Sequence, residues 1–162
     1  MSWAGLFTFT NIVSVAAWAM LLLLPRRPAV LSIVLFAGVG MLCLAYAAMF
    51  GAVFFGGADP GQVTGTAASG LDTYVTDYSI EGLRGLFMSD AGIVIGWTHY
   101  LAFDLFVGLW IARDGDAKGF SRWLQMPFLL LTFVAGPVGL LLWLVVRERR
   151  TRVLAREMKA GK

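Results

Sequence analysis

The sequence predicts an all-α fold, an integral membrane four-helix bundle, on three observations. Hydrophobic residues make up 59% of the 162 positions. Charged residues make up only 14%, where a soluble domain carries about a quarter, and the mean hydropathy is +0.76. Four apolar stretches each hold the ~20 helical residues that cross about 30 Å of hydrocarbon. The length allows a single membrane domain, 1–162, and no separate soluble one.

The first span covers 3–24 and stops at "PRRP". The second covers 29–55 and ends before "GGADPG". Ser89 and Asp90 suit an N-cap, and the third span follows them over 91–112. The fourth, 124–146, has Pro127 in its first turn and Gly136-Pro137 near its middle. A proline there removes a hydrogen bond and predicts a kink. A basic tail, 147–162, completes the chain.

Between spans two and three lies the one long connection, 56–90. Its first part, "GGADPGQVTGTAASG", is small and polar and reads as a loop. Leu71, Tyr74, Val75 and Tyr78 then fall at helical spacing. A short interfacial helix is expected within 79–88, where Ile80, Leu83, Leu86 and Phe87 are apolar and Arg84 can reach headgroups.

The net charge of +3 lies mostly in the tail, which suggests anionic membrane headgroups as partner rather than nucleic acid, and no nucleic-acid partner is expected. Cys43 is the single cysteine, so there is no internal disulfide. No cation precedes Arg26, and the first apolar stretch is too long for a signal-peptide core, so it reads as an uncleaved span. The chain therefore looks like a multi-pass protein of a bacterial inner membrane. With four crossings the termini share a side. That side would hold Arg84 and the seven Lys or Arg of the tail, against five at Arg26, Arg27, Arg113, Lys118 and Arg122. The bias favours cytoplasmic termini. Trp3, Trp110, Trp123 and Trp143 fall near span ends, as an aromatic belt would place them. Ala45, Ala48 and Ala52 form a small-residue stripe, and Gly92 and Gly96 form a GxxxG that offers a homodimer contact.

The third span carries the chemistry. It holds the only histidine, His99, and an aspartate, Asp104, although an aspartate at a helix centre costs roughly 2.5–3.5 kcal/mol on insertion scales. From Ala91 they lie about 12 and 20 Å along the axis. Five residues apart, they are about 140° apart around a regular helix. Asp104 shares a face with Trp97 and Tyr100, and His99 shares one with Phe103, Phe106 and Trp110. A π-bulge between the two would bring them closer. Polar groups in a membrane also serve as glue between helices, and Asn11, Ser14, Ser32 and Thr132 are available partners. A haem held by two axial histidines lacks its second ligand, and a retinal Schiff base lacks an intramembrane lysine. "RDGDAKG", with Asp114 and Asp116, reads as a hydrated turn.

"WTHYLAFDLFVGLWIARDG" resembles the most distinctive segment of the abscisic-acid-deficient-4-like family, typified by plant neoxanthin synthase. "IEGLRGLFMSD" and "PFLLLTFVAGPVGLLLWLVVR" resemble its neighbouring segments. The resemblance implies an isomerase acting on a carotenoid or another isoprenoid lipid. Converting an epoxide to an allene needs one proton delivered to oxygen and one removed from carbon, with no cofactor and no metal. A carboxylic acid donates protons and a neutral imidazole accepts them. Asp104 as acid, His99 as base and Tyr100 as assisting donor follow from the resemblance. Trp97, Phe103, Phe106, Trp110 and Pro137 would line the groove for an apolar carotenoid or lipid. Two alternatives remain: a non-catalytic carotenoid- or lipid-binding protein that assists a partner enzyme, and a small transport or proton-handling subunit.

Overall fold

The computed structural model describes residues 2–62 and 79–160. Five helices follow in chain order: α1 (Trp3–Leu23), α2 (Pro28–Phe54), α3 (Ile80–Leu86), α4 (Asp90–Ala117) and α5 (Arg122–Ala160). No strand occurs among the described residues. Local chemistry sets the helix starts. Ser2, Ser79 and Ser89 each accept an N–H from three residues on, at Gly5, Gly82 and Gly92. Pro28, which has no N–H to leave unpaired, opens α2. The stretch with helical spacing at 71–78 lies outside the described residues.

By residue count and composition alone, four helical segments are long and apolar enough to cross a membrane: Trp3–Leu23, Pro28–Phe54, Asp90–Ala117 and Arg122–Glu148. The protein is an all-α, multi-pass membrane bundle. Its outer surface supports this: Ile12, Phe36, Leu44 and Val134 are each more than 60% exposed, as lipid permits and water does not. α4 is the central element and packs against α1, α2 and α5. Leu21, Val34, Leu42, Leu105, Leu109, Leu129 and Trp143 fill the core around it.

α1 and α4 run parallel in a fixed register. Phe7 meets Trp97, Trp18 meets Gly108, and Arg26 meets Asp116. Gly108 leaves the space that the Trp18 indole occupies, since a Cβ there would sit 2.3 Å from the ring. The π-turn lies in α2, at Val34–Gly40, and not in α4. α4 is an unbroken α-helix, so nothing rotates His99 towards Asp104.

α5 differs most from expectation. A break appears at Ala135 (φ −149°, ψ 71°), two residues before Pro137, and it reverses the chain instead of kinking it. The Phe128 and Trp143 rings lie 5.5 Å apart, whereas a straight helix separates those positions by about 22 Å. Gly139 lies against Thr132, where an added Cβ would be 2.4 Å from the Thr132 nitrogen. Limbs 122–134 and 137–148 therefore form a hairpin with Gly136 at its tip. Pro137 cannot continue the hydrogen-bond ladder, and Gly136 and Gly139 let the backbones close.

Both limbs return to the end of the bundle where α4 stops. There Asp114 accepts hydrogen bonds from Lys118, Trp143 Nε1 (3.1 Å) and Arg147 Nη2 (3.1 Å). Asp116 pairs with Arg26 (2.8 Å) and accepts from Gln125 Nε2 (3.1 Å). Burial holds the Arg26 guanidinium below its ordinary pKa, and Asp116 offsets only part of that shift. "RDGD" is thus helical and bonded, not a hydrated turn. Trp143 is fully buried within the hairpin and is no belt residue, whereas Trp123, 84% exposed, fits one. Asp114→Asn weakens the tie between α4 and the second limb. The expected loss is about 1–3 kcal/mol, measured as a lower midpoint in detergent unfolding.

At the opposite end, Trp3 Nε1 donates to the Asp59 carbonyl (3.0 Å), and the Asp90 and Ala91 amides donate to the Gln62 and Pro60 carbonyls. α3 forms within the expected 79–88 window and lies over the start of α4. Gly92 touches the Leu86 carbonyl and Gly96 touches the Phe87 ring. The GxxxG face is thus filled by the same chain, and the homodimer expectation loses the motif that raised it.

Candidate functional site

α4 presents two different surfaces. His99 is exposed on the side facing α2. Its ring lies between Phe103 (4.6 Å, stacked) and Tyr46 (5.6 Å, tilted). It forms no hydrogen bond among the described residues. Above it is a hollow of about 220 Å³ lined by Phe50, Phe54, Phe87 and Gly96. Further along the α2–α4 contact is a second hollow of about 450 Å³, lined by Leu35, Phe36, Val39, Cys43, Phe103 and Phe106. From Gly92 to Phe106 the two hollows are spread over about 21 Å of helix axis. The π-turn of α2 forms one wall of the larger hollow, and π-turns are frequent at functional sites.

The second surface faces α1 and the hairpin. Asp104 is 8% exposed, and its Oδ1 lies only 1.9 Å from where a Gly136 Cβ would be. The Tyr100 hydroxyl donates to the Val134 carbonyl (3.3 Å), a group freed by the chain reversal. Trp97 stacks on Tyr100 (5.3 Å) and donates its Nε1–H to Asn11 (3.2 Å). Among the described residues, Asp104 Oδ2 and Ser14 Oγ are buried without a hydrogen-bond partner. The α1–α4 register puts Ser14 at the depth of Asp104.

The residues singled out in the sequence therefore divide. His99, Phe103 and Phe106 share the groove with α2. Asp104, Tyr100 and Trp97 share the hairpin face. Trp110 lies under the Arg147 guanidinium (5.1 Å), and Pro137 is exposed on the hairpin. His99 and Asp104 stand on opposite sides of one rigid helix, as their spacing requires. The hairpin closes on Asp104 and opens no space there; the space is beside His99. Tyr46 was missed as the ring partner of His99, although Tyr46, Phe50 and Phe54 repeat every four residues along α2.

A multi-pass helical bundle, with one unpaired imidazole in an apolar crevice and one carboxyl buried at a helix reversal, defines a class of lipid-facing membrane protein. The chain belongs to the ABA DEFICIENT 4-like family, whose profile matches residues 5–143. No curated protein matches it, and no solved structure does.

Proposed function

We propose that this chain is a neoxanthin synthase-like isomerase that acts by acid–base chemistry on a carotenoid or another isoprenoid, seated in the α2–α4 groove. One observation carries the proposal: the His99 imidazole, without a hydrogen bond among the described residues, lines an aromatic, mostly apolar hollow between α2 and α4, and a second apolar hollow lies beside Phe103. Aromatic walls suit a polyene, and family membership supports the reaction class.

His99 alone can carry both proton transfers. Its neutral imidazole takes a proton from the carbon beside the epoxide. The C–H electron pair becomes the new double bond, and the epoxide C–O bond opens. The imidazolium then returns the proton to the oxygen. Atoms and electrons balance without an oxidant or reductant. Asp104 is the second candidate for the acid, favoured by its unpartnered Oδ2. In that case the substrate must reach the hairpin face, with Tyr100 assisting. We place the protein in a bacterial inner membrane as one membrane domain.

A groove of this kind also fits a carotenoid- or lipid-binding protein without turnover. Extraction and mass spectrometry of lipid that co-purifies with the full chain distinguishes the classes. A polyene or isoprenoid is expected at near one per protein. Ordinary phospholipid alone would favour the transport or proton-handling alternative.

A further inference from the structure

We infer that the last apolar stretch enters and leaves the membrane on one face, so that the two termini lie on opposite sides, with the C-terminus in the cytoplasm. Neither limb is long enough to cross. The limbs 122–134 and 137–148 extend about 20 and 18 Å, against about 30 Å of hydrocarbon. Their tip meets Asp104, the midpoint of α4, so the hairpin ends at mid-membrane. Non-helical backbone at that depth persists only when protein covers it. Here Gly136 is buried, and the Val134 carbonyl accepts the Tyr100 hydroxyl.

Charge selects the orientation. Four crossings would divide the cations eight to five, a weak bias. The hairpin moves the described tail, 147–160, to the end that already holds Arg26, Arg27, Arg113, Lys118 and Arg122. Of the 12 Lys and Arg among the described residues, only Arg84 stays at the other end. A split of eleven to one is what the positive-inside bias produces. Arg27 and Arg113 are exposed at that end, where the anionic cytoplasmic leaflet attracts them. The start of α1 and the short α3 then lie outside the cytoplasm. None of this depends on the reaction proposed above.

Two measurements on the full chain in membranes test the inference. Spin labels at Trp123→Cys and Glu148→Cys, in a Cys43→Ser background, are expected within about 20 Å of each other. A straight helix places those positions roughly 37 Å apart. In intact cells stripped of their outer layer, an impermeant maleimide is expected to modify Ser2→Cys. Ala117→Cys and Lys162→Cys should react only after permeabilisation. A long spin–spin distance, or Ser2 and Lys162 labelled from the same side, overturns the hairpin. A short distance with Lys162 labelled from outside and Ser2 protected overturns the orientation.

Discussion

His99→Gln is expected to lower turnover by roughly 10²–10⁴-fold, the usual worth of a positioned acid or base, while the protein still folds and binds its lipid. Glutamine keeps most of the volume and polarity but cannot gain and return a proton. The stability cost should be small, because His99 is exposed and bonded to nothing among the described residues. Among the described residues its ring contacts are with Phe103 and Tyr46. Asp104→Asn is the informative contrast. Asparagine fits the same space against Gly136, so conversion should stay close to that of the parent protein. The assay is conversion of a candidate epoxy-carotenoid by membranes carrying each variant at matched expression. Full activity in His99→Gln together with loss in Asp104→Asn would transfer the acid–base role to the hairpin face. Bound lipid with no conversion by the parent protein would leave a binding protein.

Much of this molecule is legible in its sequence because lipid imposes simple rules. Spans must be apolar and about 20 residues long; α1 and α2 begin and end within a residue of expectation, whereas α4 runs on past the expected 112 to Ala117. The spacing of His99 and Asp104 already forbids a shared face on a regular helix, and α4 is regular. The reversal in α5 was not legible. "AGPVG" announces a break, but a kink and a hairpin differ only in tertiary contacts: Gly139 on Thr132 and Trp143 on Phe128. The tail was consequently assigned to the wrong end of the bundle. Asp114 was misread for a related reason. Its partners Trp143 and Arg147 lie about 30 residues away and come close only once the chain has turned back. The groove too depends on tertiary placement, since α3 roofs it and the π-turn of α2 shapes its wider part.

Gly136→Ala is expected to destabilise the protein by about 1–3 kcal/mol or more, the cost of overpacking a close contact. The requirement for glycine here is spatial. Gly136 is not among the positive-φ glycines, so its backbone is open to other residues. An added Cβ would lie 1.9 Å from Asp104 Oδ1 and 2.5 Å from its Cγ, and α4 cannot retreat because α1 and α2 hold its other sides. The hairpin tip must therefore lift. Lifting it exposes backbone groups that, away from water, only protein contacts satisfy. Gly51→Ala is the control: Gly51 lies within α2 with nothing inside 4 Å of an added Cβ. In a helix interior that change should be neutral or stabilising by up to about 1 kcal/mol. Asp104→Ala removes the clashing carboxyl, so in the double variant Gly136→Ala should cost far less than it does alone. A coupling of roughly 0.5–3 kcal/mol is expected for residues in contact, measured from unfolding midpoints in mixed detergent micelles. Additive losses would mean that the hairpin tip does not rest on Asp104, and the assignment of Asp104 as the residue that seats the hairpin would fail.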